Sequence, residues 1–138
     1  MSRIFRAYDI RGVYPSEIHG ELAYRLGRAF VTFLKVTSVV VGRDARLSSP
    51  VLSRELIKGI TDQGADVIDF GLCSTPLFYF CSKNAQSSIM ITASHNPKDF
   101  NGFKLCRKKA YPISEDNGIK EIQVLVEENA FASRRKGK

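Results

Sequence analysis

Residues Ile89 to Lys104 read IMITASHNPKDFNGFK. Ile89 to Thr92 are a short run of apolar and β-branched residues, the mark of a buried strand. The chain then breaks at Ser94-His95-Asn96-Pro97. Proline fixes its own φ and pushes the preceding residue out of the helical region, so Asn96-Pro97 predicts a turn. Asn101-Gly102 predicts a second turn, because glycine tolerates positive φ without steric cost. A strand follows over GFKLC, on which Lys104 alternates with Phe103 and Leu105, so the ammonium faces away from two apolar neighbours. A serine is thereby presented at a strand end, with loop amides and a cation close by in sequence. That combination suits phosphate chemistry: a hydroxyl to carry a phosphoryl group, donors for its oxygens and positive charge to balance it.

Outward from this stretch, strand and helix signals alternate. Ile4 to Ile10 reads as an opening strand, ended by Arg11-Gly12 and a turn at Tyr14-Pro15. Ile18, Leu22, Leu26, Ala29, Phe30, Phe33 and Leu34 recur at spacings of three and four, one apolar stripe along a helix. His19 and Tyr24 fall outside that stripe, His19 as a surface histidine near the helix start. Val39-Val40-Val41 is a buried-strand signal running into Gly42-Arg43-Asp44. Ser49-Pro50 predicts a helix start with serine as the cap and proline at the first position, Leu52, Leu56 and Ile60 as its inner face and Gly64 as its stop. A strand over Ala65 to Phe70 follows. Thr75-Pro76 then opens a short helix whose Leu77, Phe78 and Phe80 are read as core. Beyond GFKLC come a basic turn at Arg107-Lys108-Lys109 and a last helix, capped by Ser114, with Glu115 and Asp116 in its first turn and Ile119, Ile122 and Val126 inside. Residues 1–129 make one domain, and 130–138 read as a loose basic tail. The alternation predicts a three-layer α/β/α fold around a mostly parallel sheet. Ligands gather at the carboxyl ends of strands in such sheets, and Arg43 and Ser94 both lie there.

With 138 residues, the chain is long enough for a sizeable core. No apolar run reaches the ~18 residues of a membrane span. The start, MSRIFRAYD, lacks the apolar region of a signal peptide, which points to the cytoplasm. Cys73, Cys81 and Cys106 are odd in number and widely spaced, without a CxxC pair, and read as reduced thiols. The net charge of +7 favours anionic partners. The basic runs lack the interleaved aromatics or binding motif that would indicate nucleic acid, so none is expected as a partner.

Several side chains have two readings at this level. Arg11 by itself is a solvated loop arginine. Arg43 either binds phosphate or pairs with Asp44 or a neighbouring loop, since a planar guanidinium serves both. His95 and Asn96 either take part in chemistry or bond the nearby backbone as loop architecture. A serine beside a histidine also suggests a hydrolase. Adjacent loop residues do not reliably face one another, however, and both a GxSxG elbow and an acid marked to orient His95 are missing.

Three stretches carry a resemblance. TASHNP with FNGFK, FRAYDIRG at Phe5 to Gly12, and VGRDARLSSP at Val41 to Pro50 resemble the α-D-phosphohexomutases, enzymes that interconvert hexose 1-phosphates and 6-phosphates. FRAYDIRG is closest to the phosphomannomutase/phosphoglucomutase branch. The likeness runs from about Ile4 to Asn129, in the order and spacing of the first domain of such an enzyme. It implies that the GFKLC strand makes the sheet mixed, that Ser94 is a phosphoserine in the active enzyme, and that Tyr8 and Arg11 lie near the reacting phosphate. Taken with the residues themselves, the expected catalytic set is Ser94, Lys104, His95 and Arg11, with Tyr8, Arg11, Arg43, Asn96 and Lys104 binding phosphate or substrate. Ser94, through its phosphate, is the one expected ligand here for Mg2+. Family members are much longer, with four domains and a DGDxDR metal loop in the second, and no such loop occurs in this sequence. The isolated chain is therefore expected not to turn over hexose phosphate without the remaining domains. The alternative is a non-catalytic phosphate-binding or interaction module of the same fold.

Overall fold

Runs that are apolar at every position need burial on both faces, and Val39-Val40-Val41 and Ile89-Met90-Ile91 satisfy this by lying side by side within one sheet. The computed structural model describes residues 2–138. Its elements are β1 (Ile10–Val13), α1 (Gly20–Leu34), β2 (Ser38–Arg43), α2 (Ser49–Asp62), β3 (Asp66–Leu72), α3 (Thr75–Cys81), β4 (Ser88–Ile91), β5 (Phe100–Cys106) and α4 (Ile119–Glu128). The five-stranded sheet has the order β1-β5-β4-β2-β3. β2 pairs in parallel with β3 and β4, whereas β5 is antiparallel to β4 and β1. The α/β fold with a mixed sheet is as expected from the sequence. Among the described residues no helix is long and apolar enough to cross a membrane.

The two faces are covered unequally. Val39, Val41, Ile89, Ile91, Phe103 and Leu105 pack into the main core with residues of α1, α2 and α4. Val40 and Met90, on the opposite face, pack with Phe78 of α3 in a small second cluster. Helices α1 and α2 cross closely because glycines meet at the contact. A Cβ on Gly59 would lie 2.1 Å from the Tyr24 carbonyl oxygen, and one on Gly27 would lie 2.5 Å from that of Leu56.

The structure corrects several expectations. The opening strand is shorter and later: Phe5 bridges antiparallel to Ile10, and the Arg6 N–H donates to the Asp9 carbonyl at 2.8 Å. Residues 6–9 are therefore a tight bend that lets Ile4 and Ile10 both enter the core. Asn101-Gly102 is no turn but the interior of β5. Its glycine is required by close packing, since a Cβ there would lie 2.1 Å from the Ile10 carbonyl oxygen.

Helix starts shift as well. Ser48, not Ser49, is the cap position of α2, because the Ser49 hydroxyl donates to Asp44 Oδ1 at 2.8 Å. Ser74, not Thr75, caps α3, its hydroxyl oxygen accepting from the Leu77 N–H. α4 begins at Ile119 behind Gly118, and Ser114 to Asn117 form a separate turn closed by Asn117 Oδ1 accepting from the Ser114 N–H. His19 is more than a surface residue, since its Nδ1 accepts from the Leu22 N–H at 3.1 Å and caps α1. In α3 only Phe78 is core; Leu77 is exposed and Phe80 is 69% exposed, because among the described residues no other helix packs on that side to cover them.

The C-terminal residues, loose by composition, are laid along α2 and the free edge of β3. Phe131 lies beneath the Arg28 guanidinium at 4.9 Å, the Gly137 N–H donates to the Thr61 carbonyl at 2.8 Å, and the Lys138 N–H donates to Asp66 Oδ1 at 2.8 Å. Nearby, Asp62 accepts from the Tyr24 hydroxyl at 2.7 Å and lies 3.3 Å from Lys58 Nζ and 3.5 Å from Lys136 Nζ. The Tyr24 hydrogen bond, helped by the lysines, holds the Asp62 carboxyl below its ordinary value.

Two predictions follow from this packing. Gly59→Ala gains helix propensity of about 1 kcal/mol but forces Cβ into the Tyr24 backbone. Overpacking costs roughly 1–3 kcal/mol and more for a rigid backbone contact, so urea unfolding should show net destabilisation. For Asp62, a lowered folded-state pKa means that its stabilisation is complete above the unfolded value of about 3.9 and is lost as pH falls through the folded value. The stability gap between wild type and Asp62→Asn, read from urea melts, should therefore be constant near neutrality and close progressively below about pH 4.

Candidate active site

The chain leaves β4 as a series of short turns. Ser94 adopts a left-handed conformation, with φ of 57°. Its N–H donates to Thr92 Oγ1 at 3.0 Å, the Asn96 N–H to the Ala93 carbonyl at 3.1 Å, and the Phe100 N–H to the Pro97 carbonyl at 2.9 Å. These turns lift Ser94 and His95 clear of the sheet, and both are exposed.

A guanidinium from the β2–α2 connection enters the concave side of this loop. Arg46 Nη1 donates to the carbonyls of Pro97 at 2.6 Å and Phe100 at 3.0 Å, and Nη2 to those of Ser94 at 3.0 Å and Asn96 at 2.8 Å. Its Nε lies 3.3 Å from Asp44 Oδ2. Asp44 is itself held, since its Oδ1 accepts from the Arg46 N–H at 3.1 Å and the Ser49 hydroxyl at 2.8 Å. Asn101, fully buried on β5, closes the circuit. Its amide donates to the Ser48 and Ser49 hydroxyl oxygens at 2.7 and 3.0 Å, and its Oδ1 accepts from the Gly102 N–H at 2.8 Å.

A second arginine reaches the loop from β1. Arg11 Nη1 donates to Asn96 Oδ1 at 2.6 Å, and Nη2 pairs with the buried carboxylate of Asp9. The remaining nitrogen, Nε, is buried without a hydrogen-bond partner. Tyr8, on the bend before Asp9, is 76% exposed.

Strand register decides which expected residues share a side. Arg11 pairs with Gly102 and Lys104 pairs with Met90, so both cations lie on the face occupied by Met90 and α3. Arg43 pairs with Ile91, which belongs to the opposite, main-core face. The Arg43 side chain accordingly lines a separate cavity of about 320 Å3 with Pro50, Ser53, Arg54, Ile57 and Asp69. The structure thus gathers Arg11, Asn96, Ser94 and His95 around one loop, and sets Lys104 lower on the same face. Arg43 is on the other side of the sheet. Next to Lys104 on that face, Cys106 and Tyr79 are uncharged at neutral pH: burial pushes the Tyr79 phenol up to about 12 and also raises the Cys106 thiol.

Sequence reasoning did not single out Arg46, Asp9 or Thr92, took Asn101 only as a turn residue, and offered Asp44 as a partner of Arg43, whereas it pairs with Arg46. A signal was present in the repeated Asp-x-Arg spacing: acid and base stand two apart in both Asp9/Arg11 and Asp44/Arg46, close enough in the chain to pair.

Among the described residues there is no group of three or more His, Cys, Asp or Glu side chains that could hold a metal ion. A hard octahedral cation such as magnesium takes several oxygen donors, and a phosphorylated Ser94 supplies only its own phosphate oxygens. The residues of this chain do not by themselves fit a magnesium site.

A family model described as phosphoglucomutase/phosphomannomutase, alpha/beta/alpha domain I, matches residues 2–133. The chain belongs to this family. A phosphomannomutase of Klebsiella pneumoniae is 48% identical over 129 residues, covering 92% of this chain and 82% of that protein. A phosphomannomutase of Escherichia coli K12 is 46% identical over 129 residues, covering 92% of this chain but 28% of that protein. The crystal structure of a phosphoglucomutase/phosphomannomutase family protein from Burkholderia thailandensis matches with a TM-score of 0.91 and 35% identity, covering 100% of this chain and 32% of that one. The chain therefore spans less than a third of the length of the E. coli and Burkholderia proteins. Within this phosphohexomutase domain, the serine loop and the β2–α2 connection are joined through Asn101. Replacing Asn101 by Leu leaves the Gly102 N–H buried without its acceptor and frees the Ser49 hydroxyl that holds Asp44. Thermal or urea unfolding should show a loss of roughly 1–3 kcal/mol, with NMR shift changes concentrated at Asp44 to Ser49 and the serine loop.

Proposed function

We propose that this chain is the serine-bearing first domain of a phosphomannomutase/phosphoglucomutase, and that Ser94 carries the transferred phosphoryl group. The observation that carries this reading is the presentation of Ser94: an exposed hydroxyl at the carboxyl end of β4, on a loop braced by two arginines. Phosphoryl transfer depends mainly on positioning and on charge neutralisation, and both are served by such a loop.

In the forward half-reaction the bond from phosphorus to Ser94 Oγ breaks, and a bond forms to the free hydroxyl oxygen of a hexose monophosphate. The sugar hydroxyl gives up its proton, and Ser94 Oγ regains one. The bisphosphorylated sugar then turns over in the site and returns its other phosphoryl group to Ser94 by the reverse exchange. A phosphoserine bears about two negative charges near neutral pH. Arg11 and Lys104, on the same face, are the candidates for balancing that charge and handling the proton, with His95 as a further one. Tyr8, Asn96 and Arg43 are the remaining candidates for holding substrate or phosphate, Arg43 only for a group that reaches the main-core side. Magnesium, if bound to the Ser94 phosphate, takes its other protein ligands from acidic residues outside this chain, and the sugar is read by those further domains. The setting is cytoplasmic.

The second reading is a phosphate- or phosphosugar-binding module of the same fold that does not turn over. It is favoured by the net charge of +7, which suits an anionic ligand without requiring catalysis. The two readings separate in a direct experiment. In a full-length enzyme containing this domain, phosphorus NMR and mass spectrometry should find phosphate on Ser94, and Ser94→Ala should reduce hexose phosphate interconversion to background. Activity undiminished in Ser94→Ala would overturn the carrier reading. The 138-residue chain alone should give no interconversion of mannose or glucose 1- and 6-phosphates; measurable turnover would contradict the requirement for further domains.

A further inference from the structure

A serine at φ of 57° sits in a region that costs a non-glycine residue roughly 1–3 kcal/mol, and it stays there only if its surroundings enforce it. Two contacts bear on the Ser94 backbone directly: Thr92 Oγ1 takes its N–H, and Arg46 takes its carbonyl. The Arg46 contact is the less local of the two. The same guanidinium also receives the carbonyls of Asn96, Pro97 and Phe100, so backbone oxygens from both ends of the loop converge on one cation. Carbonyl dipoles aimed at a common point repel one another unless positive charge stands between them. The loop is folded around that charge.

We propose that Arg46 is a positioning residue, whose guanidinium, anchored by Asp44, holds the serine loop closed and keeps Ser94 in the left-handed conformation that presents its hydroxyl. The clamp is a matter of geometry, while its bearing on phosphoryl transfer rests on the reading of Ser94 as the phosphate carrier. Arg46 is not itself a ligand for phosphate, because both Nη atoms are committed to carbonyls and Nε faces a carboxylate. It is also largely shielded, its side chain being 13% exposed. Lysine cannot reproduce the clamp, since an ammonium is a point charge and lacks the planar fork that reaches separate acceptors at once. The clamp orients donors as well. In a trans peptide the C=O and the following N–H point in opposite directions, so fixing the Ser94 carbonyl on Arg46 turns the His95 N–H outward from the guanidinium.

The test uses the 138-residue chain, isotopically labelled, as wild type, Arg46→Met and Arg46→Lys. The HN–Hα coupling and carbon shifts of Ser94 report its φ, and hydrogen exchange at Asn96 and Phe100 reports loop closure. Arg46→Met should lose the left-handed signature at Ser94 and exchange the Asn96 and Phe100 amides at least about tenfold faster, with the β2 and β4 amides unaltered. Arg46→Lys, which keeps the charge and folds if Met does not, should recover only part of the closure. In parallel, the same substitutions are placed in a full-length enzyme containing this domain, the dephosphorylated enzyme is incubated with a hexose 1,6-bisphosphate, and phosphate on Ser94 is followed by mass spectrometry. Wild type should take up phosphate at least about tenfold faster than Arg46→Met, a difference equal to about 1.4 kcal/mol in barrier. An unchanged Ser94 coupling in both variants overturns the proposal, whatever the uptake. Equal acceleration of exchange in the loop, β2 and β4 also overturns it, since that is the mark of a merely stabilising arginine. If the full-length wild type takes up no phosphate, the carrier reading fails, and the coupling and exchange data alone decide the clamp.

Discussion

Every group that reaches Ser94 does so because β4 lies between a parallel neighbour, β2, and an antiparallel one, β5. The parallel pairing ends β2 and β4 at the same edge, so the connection that follows Arg43 emerges beside the loop that follows Ile91; the Asp44 N–H donates to the Ile91 carbonyl at 3.0 Å. The antiparallel pairing returns the chain at once along β5, which brings Asn101 back beneath the start of α2. One loop is thereby flanked by residues that are about fifty positions away in sequence. A sheet of wholly parallel strands would need a crossover after β4 and could not close the circuit so tightly.

Charge is handled differently by the two arginines at this loop. Arg46 is enclosed by backbone carbonyls and one carboxylate, so all of its nitrogens face acceptors and it acts as a fixed internal brace. Arg11 is tied to Asp9 and Asn96 but keeps a buried Nε without a partner. Removing a guanidinium from water is costly unless its donors are satisfied, which explains why each arginine is preceded by an acid two positions earlier. The contrast also assigns different kinds of work: one arginine shapes the backbone, and the other remains near the exposed hydroxyl.

The faces of the sheet divide labour in a similar way. Among the described residues three helices seal the main core, whereas the opposite face has only the seven-residue α3, leaving Ile68, Leu77 and Phe80 in solvent. Lys104 and Arg11 lie on this thinly covered side. A helix packed over β1 and β5 there would bury both cations, so the short α3 and the open site belong to one architecture.

The order of strands and helices, the inner faces of α1 and α2, and the phosphohexomutase likeness were all legible in the residues, because apolar periodicity and local motifs are properties of contiguous chain. Boundaries were less so: Ser48 and Ser49 are chemically equivalent candidates for a cap, and only Asp44, brought near by the fold, draws the Ser49 hydroxyl away. Gly102 read as a turn residue, whereas it stands inside β5 and is needed there because Ile10 approaches across the neighbouring strand. Sequence alone determined which side chains alternate along each strand and that a serine stands at a strand end. The tertiary structure decided that Arg46 meets the serine loop and that Arg43 lies across the sheet from Lys104. The physical reason is that side-chain parity is set within a strand, whereas the face it corresponds to is set by register between strands, which depends on hydrogen bonds formed only when distant segments pair.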